Sequence, residues 1–150
     1  MADQVQQNYA NHRRVVPLWH IVTAGILVLN LVYAIMHFVR HGGDPGRPFG
    51  AIIGLLVAIA LVLIWGFARV FAVTVQDRVI RLEESFRYEK VLPADLKGRA
   101  SQLTMRQIIG LRFASDAELP GLVRRALDEK LSEKQIKKEV KNWKADNLRA

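Results

Sequence analysis

The chain has 150 residues, no cysteine, and 22 Lys+Arg against 14 Asp+Glu, for a net charge of +8. The lack of cysteine excludes disulfides, thiolate metal sites and thiol catalysis. The length allows one small unit, or a membrane hairpin that carries one small soluble domain. The two kinds of residue are segregated: residues 76–150 hold 17 Lys+Arg and 12 Asp+Glu, while residues 15–75 hold nearly all the long apolar runs. A basic segment beside a bilayer is drawn to anionic lipid headgroups, by roughly 1 kcal/mol per well-placed Lys or Arg. Nucleic acid is the other partner that such a charge admits.

Residues 1–14 form a polar tail ending in Arg13-Arg14. The apolar stretch that follows, about 15–39, is too long for the core of a signal peptide and no small-x-small cleavage site closes it. It therefore reads as a retained transmembrane helix. Pro17 suits its first turn, Tyr9 and Trp19 suit the headgroup belt, and Arg40, His41 and Gly42-Gly43 close the far end. On a helical wheel Thr23, Asn30, His37 and His41 fall within about 40° of one another, with His20 about 60° to one side of Thr23. This polar stripe, Thr23 and Asn30 in particular, is expected to be hidden from lipid against another helix. The alternative makes His20 and His37 ligands of haem or a metal, or members of a proton path. They stand 17 residues apart, about 25 Å along a helix, so a bis-histidine site needs a second copy or another subunit. No cofactor is assigned.

Residues 41–48, HGGDPGRP, are expected to turn a helical hairpin. They lack the GK[ST] and the preceding strand of a phosphate loop. The second span, about 49–71, places Gly50, Gly54 and Ala58 at four-residue spacing, a face on which the first span or a symmetry mate can approach closely. Trp65, Phe67 and Phe71 form an aromatic belt, and Arg69 can reach the inner headgroups. Lys and Arg near the span ends outnumber those in the loop on the side of the termini. Both termini are therefore placed in the cytoplasm; for a bacterial chain this means the inner membrane.

No Gly or Pro interrupts the segment from Val70 to Lys90, so the second span is predicted to continue as a stalk helix over 76–92. Ala72, Val75, Val79, Leu82 and Phe86 repeat at spacings of 3, 4, 3 and 4, which is a heptad seam. It is expected to pack on the helices that follow or on a second copy, with the former favoured. Asp77–Arg81 and Glu83–Arg87 are acid-first i,i+4 pairs. Pro93 ends the stalk, and 93–103 read as a linker.

Three capping boxes, Thr104 with Gln107, Ser115 with Glu118 and Ser132 with Gln135, predict helices over about 104–114, 116–129 and 133–147. Together they make a three-helix basic domain over 104–150. The last helix is expected to set Lys134, Lys137, Lys138, Lys141 and Lys144 opposite its apolar stripe, as a solvated or lipid-facing surface. The same helix admits a helix-turn-helix reading. The all-lysine face, with Asn142 alone suited to a base edge, disfavours nucleic acid as a partner. The segment has no His and no Cys, so no Ser-His or Cys-His pair can form there. No catalytic residue and no Asp/Glu/His metal cluster is assigned, and the chain is not expected to be an enzyme.

The segments NYANHRRVVPLWH and LRFASDAELPGLVRRALDEKLSEKQIKKEVKNWKAD resemble a family of short bacterial two-span inner-membrane proteins known only as a domain of unknown function. The resemblance covers nearly the whole chain and implies the same topology, without an activity or cofactor. It draws attention to Asn11, His12, Pro17, His20, Phe113, Asp116, Pro120 and Trp143. The expectation is an all-α membrane protein acting as an accessory or scaffold. It would be a homo-oligomer or a subunit of a larger membrane complex, working through helix packing and through protein or lipid contact.

Overall fold

The computed structural model describes residues 7–11, 15–43 and 48–145. A π-type helical segment over Leu18–Thr23 runs into α1 (Ala24–His41). Then come α2 (Pro48–Val91), α3 (Ala94–Ala100), α4 (Met105–Leu111), α5 (Leu119–Asp128) and α6 (Glu133–Glu139). The chain forms two compact units: residues 15–72, and the amino-terminal tail together with residues 73 onward.

In the first unit, α1 and the first half of α2 pair through small residues. Ala34, Ala51 and Ala58 are buried, and Trp19 stacks on Trp65 with ring centroids 5.8 Å apart. Buried and half-buried positions follow the heptad rhythm on both helices: His20, Ala24, Leu27, Leu31 and Ala34 on one, and Ala51, Leu55, Ala58, Val62, Trp65 and Arg69 on the other. Such a rhythm lets two helices stay in register along a seam. As a partner for the first span, the small-residue face is used only in part. Ala58 lies in the seam, but Gly50 and Gly54 are exposed, with nothing within 4 Å of where a Cβ would stand. Ala51, one residue along from Gly50, takes the packing position because the seam advances by 3.5 residues per turn and not by four. Asn30 is likewise exposed, so the polar stripe as a whole does not enter the seam. Gly42 ends α1, and most of the expected outer loop, residues 44–47, lies outside the described residues. Both helices are long and apolar enough to cross a membrane: Leu18–His41 with 24 residues and Phe49–Val91 with 43.

In the second unit the carboxyl end of α2 joins α3–α6 around Phe113, Leu96, Leu111, Leu119, Ile136 and Val123, all almost fully buried. Each such side chain contributes about 1.5–3 kcal/mol by leaving water. From α2 the core receives Ile80, Tyr88 and Leu92. Pro93, extended at φ −66° and ψ 159°, stops α2 and caps α3, since the residue before a proline is steered out of the helical region. The expected linker over 93–103 is therefore mostly helix. Asp95 in its first turn and Lys97 and Arg99 in its last complement the helix dipole, and Leu96 fixes it to the core.

The capping boxes at Thr104–Gln107 and Ser132–Gln135 form as expected. The one at Ser115–Glu118 does not. Glu118 is itself the N-cap, without a side-chain cap bond, and the buried Ser115 hydroxyl has no hydrogen-bond partner among the described residues. The Glu118 carboxylate instead accepts from the backbone N–H groups of Lys141 (3.2 Å) and Asn142 (3.0 Å) and from the Asn142 amide (2.7 Å). Those bonds hold residues 140–144 out of the helix, so α6 stops at Glu139 and not near 147. Ala114 and Trp143 form an isolated antiparallel bridge, and the Trp143 ring lies tilted against Phe113, with centroids 4.9 Å apart.

Candidate functional site

The second half of α2 has two faces, and the fold uses the polar one. Glu84, Arg87 and Tyr88 are turned into the second unit with Ile80. The Arg87 guanidinium, 8 % exposed, donates through Nε to Asp116 Oδ1 (2.7 Å), through Nη2 to the carbonyl of Ala114 (2.6 Å), and through Nη1 to Glu84 (3.3 Å) and the Arg112 carbonyl (3.4 Å). These carbonyls lie just past the end of α4, where helix geometry leaves acceptors unused. The planar fork of an arginine reaches several of them at once. Burial pushes the Glu84 carboxyl above the ordinary range, although Arg87, Lys144 and Arg112 pull it down. The expected Glu83–Arg87 pair is replaced by Glu84–Arg87, three residues apart, because Glu83 lies on the exposed side.

The seam read from the sequence is on the opposite face. Val75, Val79, Leu82 and Phe86 are 47–62 % exposed, so the expectation that it packs on the following helices is corrected. The physical reason is the Arg87 cluster: one turn of helix can present either Arg87 and Tyr88 or Leu82 and Phe86 to the core, and the guanidinium has four acceptors waiting for it. Leu82 lines a shallow groove with Thr74, Asp77, Arg81, Ser85 and Met105. The sequence signal that was available is the triplet Ile80, Glu84, Arg87, which repeats at helical spacing beside the more conspicuous apolar stripe.

The lysines do not form one surface. Lys134 and Lys138 are exposed on α6, and Lys141 and Lys144 lie in the non-helical segment beyond it. Lys137 is buried, ion-paired with Glu133 at 2.6 Å and stacked over the Phe113 ring at 5.2 Å. Lys138 stands 5.9 Å from the Tyr9 ring of the tail.

The first unit keeps the two half-buried histidines apart. His20 lies in the π-type turn with Nδ1 about 3 Å from the backbone of Val16. His37 lies near the other end of α1, against Tyr33 (5.9 Å) and His41 (4.9 Å). Thr23 donates through its hydroxyl to the carbonyl of Leu18 at 2.9 Å, five residues back within the π-type segment. Asn30 makes no hydrogen bond with its side chain among the described residues. Among the described residues no group of three or more His, Cys, Asp or Glu could hold a metal ion. His12, singled out by the resemblance, lies outside them. Phe113, Asp116 and Trp143 all fall in or beside the Arg87 cluster, Pro120 opens α5, and Pro17 caps the π-type segment.

The chain belongs to a family of unknown function, DUF6526, whose model matches residues 1–150. No curated protein and no solved structure matches it.

Proposed function

We propose that this member of a family of unknown function is a non-enzymatic membrane scaffold that works by associating with copies of itself. Its two long apolar helices span the bacterial inner membrane with both termini in the cytoplasm, and its basic helical unit meets protein or anionic lipid there. The observation that carries the reading is the open heptad stripe Val75, Val79, Leu82 and Phe86. The unit that could have covered these residues buries the other face of α2 instead. A stripe of this length at 3.5-residue spacing is a seam for another helix, and a second copy supplies an identical one. Asn30 supports the same reading. An amide without a partner on the exposed face of an apolar span is costly in hydrocarbon and is both donor and acceptor, so a second copy can satisfy it.

The test is the mass of the purified protein in mild detergent, by light scattering. The native chain should run as a defined oligomer, and the double variant Leu82→Asp/Phe86→Asp as a smaller species with unchanged helix content. An unchanged mass for the double variant, or a native monomer, would sink the reading.

A further inference from the structure

The second unit contains a cleft of about 1140 Å³ between the tail, the start of α4 and the turn that joins α5 to α6. Its charges are lopsided. Arg106, Lys130, Lys134 and Lys137 line it, and among the described residues Glu133 is the one acid in its wall. Glu133 is already engaged, at 2.6 Å by Lys137 and at 3.4 Å by Arg106. The acids nearby in sequence are spoken for as well: Asp128 pairs with Arg99, and Glu129 and Glu139 pair with Arg125. Lys130 and Lys134 make no ion pair and no side-chain hydrogen bond among the described residues. The cleft therefore holds three positive charges more than it can neutralise.

These cations stand on a fixed support. The Gln107 amide donates to the carbonyls of Ala126 (2.8 Å) and Leu131 (3.2 Å) and so ties the end of α5 to the start of α4. Leu131 is buried in the core, Lys130 takes the left-handed conformation at φ 51°, and Ser132 caps α6. Ala126, Leu127 and Leu131 supply an apolar part of the lining, and Tyr9 of the tail lines the cleft as well.

Lined by four cations, one acid and an apolar patch, the cleft fits a ligand with an anionic head of several oxygens and a less polar body. We propose that it binds a phosphate-bearing ligand, with Lys130, Lys134 and Arg106 on the phosphate oxygens and the body of the ligand against Leu127 and Tyr9. Lysine and arginine both recognise phosphate through charge-assisted hydrogen bonds. The same chemistry is offered by a phospholipid headgroup and by a soluble phosphate ester.

The experiment uses the full chain in neutral detergent micelles at low salt and does not depend on how the chain associates. In one arm pyrophosphate and glycerol phosphate are titrated by calorimetry. In the other, phosphatidylglycerol is mixed into the micelles, with phosphatidylcholine as the control, and binding is read from the backbone amide shifts of residues 126–134. The probe variant is Lys130→Asn/Lys134→Gln, since asparagine tolerates the left-handed backbone; the control, with the same loss of charge, is Lys141→Gln/Lys144→Gln. Binding at the cleft predicts at least a tenfold loss in the probe variant and less than twofold in the control. Saturation by the soluble esters identifies a free phosphate compound, and a response to phosphatidylglycerol alone identifies a headgroup. No binding in either arm, or equal losses in the two variants, would overturn the proposal.

Discussion

Arg87 on α2 donates to the carbonyl of Ala114, 27 residues later in the chain, at 2.6 Å. That bond, with its companions to Asp116 and Arg112, decides which side of a long helix is interior. A buried guanidinium is expensive to strand, and its acceptors are expensive to abandon. Arg87→Met should therefore destabilise the second unit by about 3–5 kcal/mol, read from urea unfolding of the full chain by Trp143 fluorescence in a Trp19→Phe/Trp65→Phe background. Arg87→Lys should recover only part of the loss, because a single ammonium cannot serve the same fork. A loss below about 1 kcal/mol in Arg87→Met would contradict the role assigned here.

Glu84 sets a pH dependence of definite sign. Burial raises its folded-state pKa above the ordinary value of 4.5. The folded state then binds the proton more tightly than the unfolded chain, so this group's contribution is fully present below 4.5 and is lost as pH rises through the folded value. Glu84→Gln should remove that decline and flatten the thermal midpoint above pH 4.5. Glu129 and Glu133 act in the opposite sense. The hydrogen bond from Arg125 lowers Glu129. Burial would raise Glu133, but the hydrogen bond and charge of Lys137, with Arg106, bring it below the ordinary value. Their contributions are lost on acidification below 4.5, a separate window that Glu84→Gln leaves unchanged.

Gly110 lets α4 approach α6 closely. A Cβ there would lie 3.1 Å from both Cβ and Cγ2 of Ile136 and 3.3 Å from the carbonyl of Glu133. Gly110→Val should cost at least 1–3 kcal/mol through overpacking, in contrast to the open site at Gly121. Ile136→Ala should relieve part of the Gly110→Val cost, and a double-mutant cycle in urea measures the coupling; strictly additive effects would argue against the close approach.

Asn30 tests the association of the spans separately from the stripe on α2. Asn30→Leu should weaken self-association by about 0.5–2 kcal/mol, the range for an interhelical hydrogen bond in a membrane, while leaving helix content unchanged. Energy transfer between labelled copies in vesicles measures it. Equal or tighter association in Asn30→Leu would show that the amide meets no partner in the oligomer.

Local signals were legible where local chemistry suffices. Thr104 and Ser132 each find a glutamine three residues on, and those boxes form because all four groups belong to one turn. Ser115 has a glutamate at the same spacing, yet Glu118 is drawn away by the backbone of Lys141 and Asn142, a competitor 23 residues distant. The same competition shortens α6 and takes Lys141 and Lys144 out of the row in which helical spacing would have aligned five lysines. Ala51 replaces Gly50 in the first unit because an antiparallel partner selects a 3.5-residue rhythm, which spacing within one helix leaves open.

By itself the sequence determined the helical class, two apolar helices of spanning length, the punctuation at Gly42 and Pro93, and two of three capping boxes. These follow from hydropathy runs, backbone-restricting residues and bonds within a single turn. Only the tertiary structure decided which face of α2 is interior, that Asn30 and the Val75–Phe86 stripe stay open, and that Lys130, Lys134 and Arg106 share a cleft. Each of those depends on acceptors and charges brought together from distant parts of the chain, where the lowest energy belongs to the whole set of partners and to no one helix.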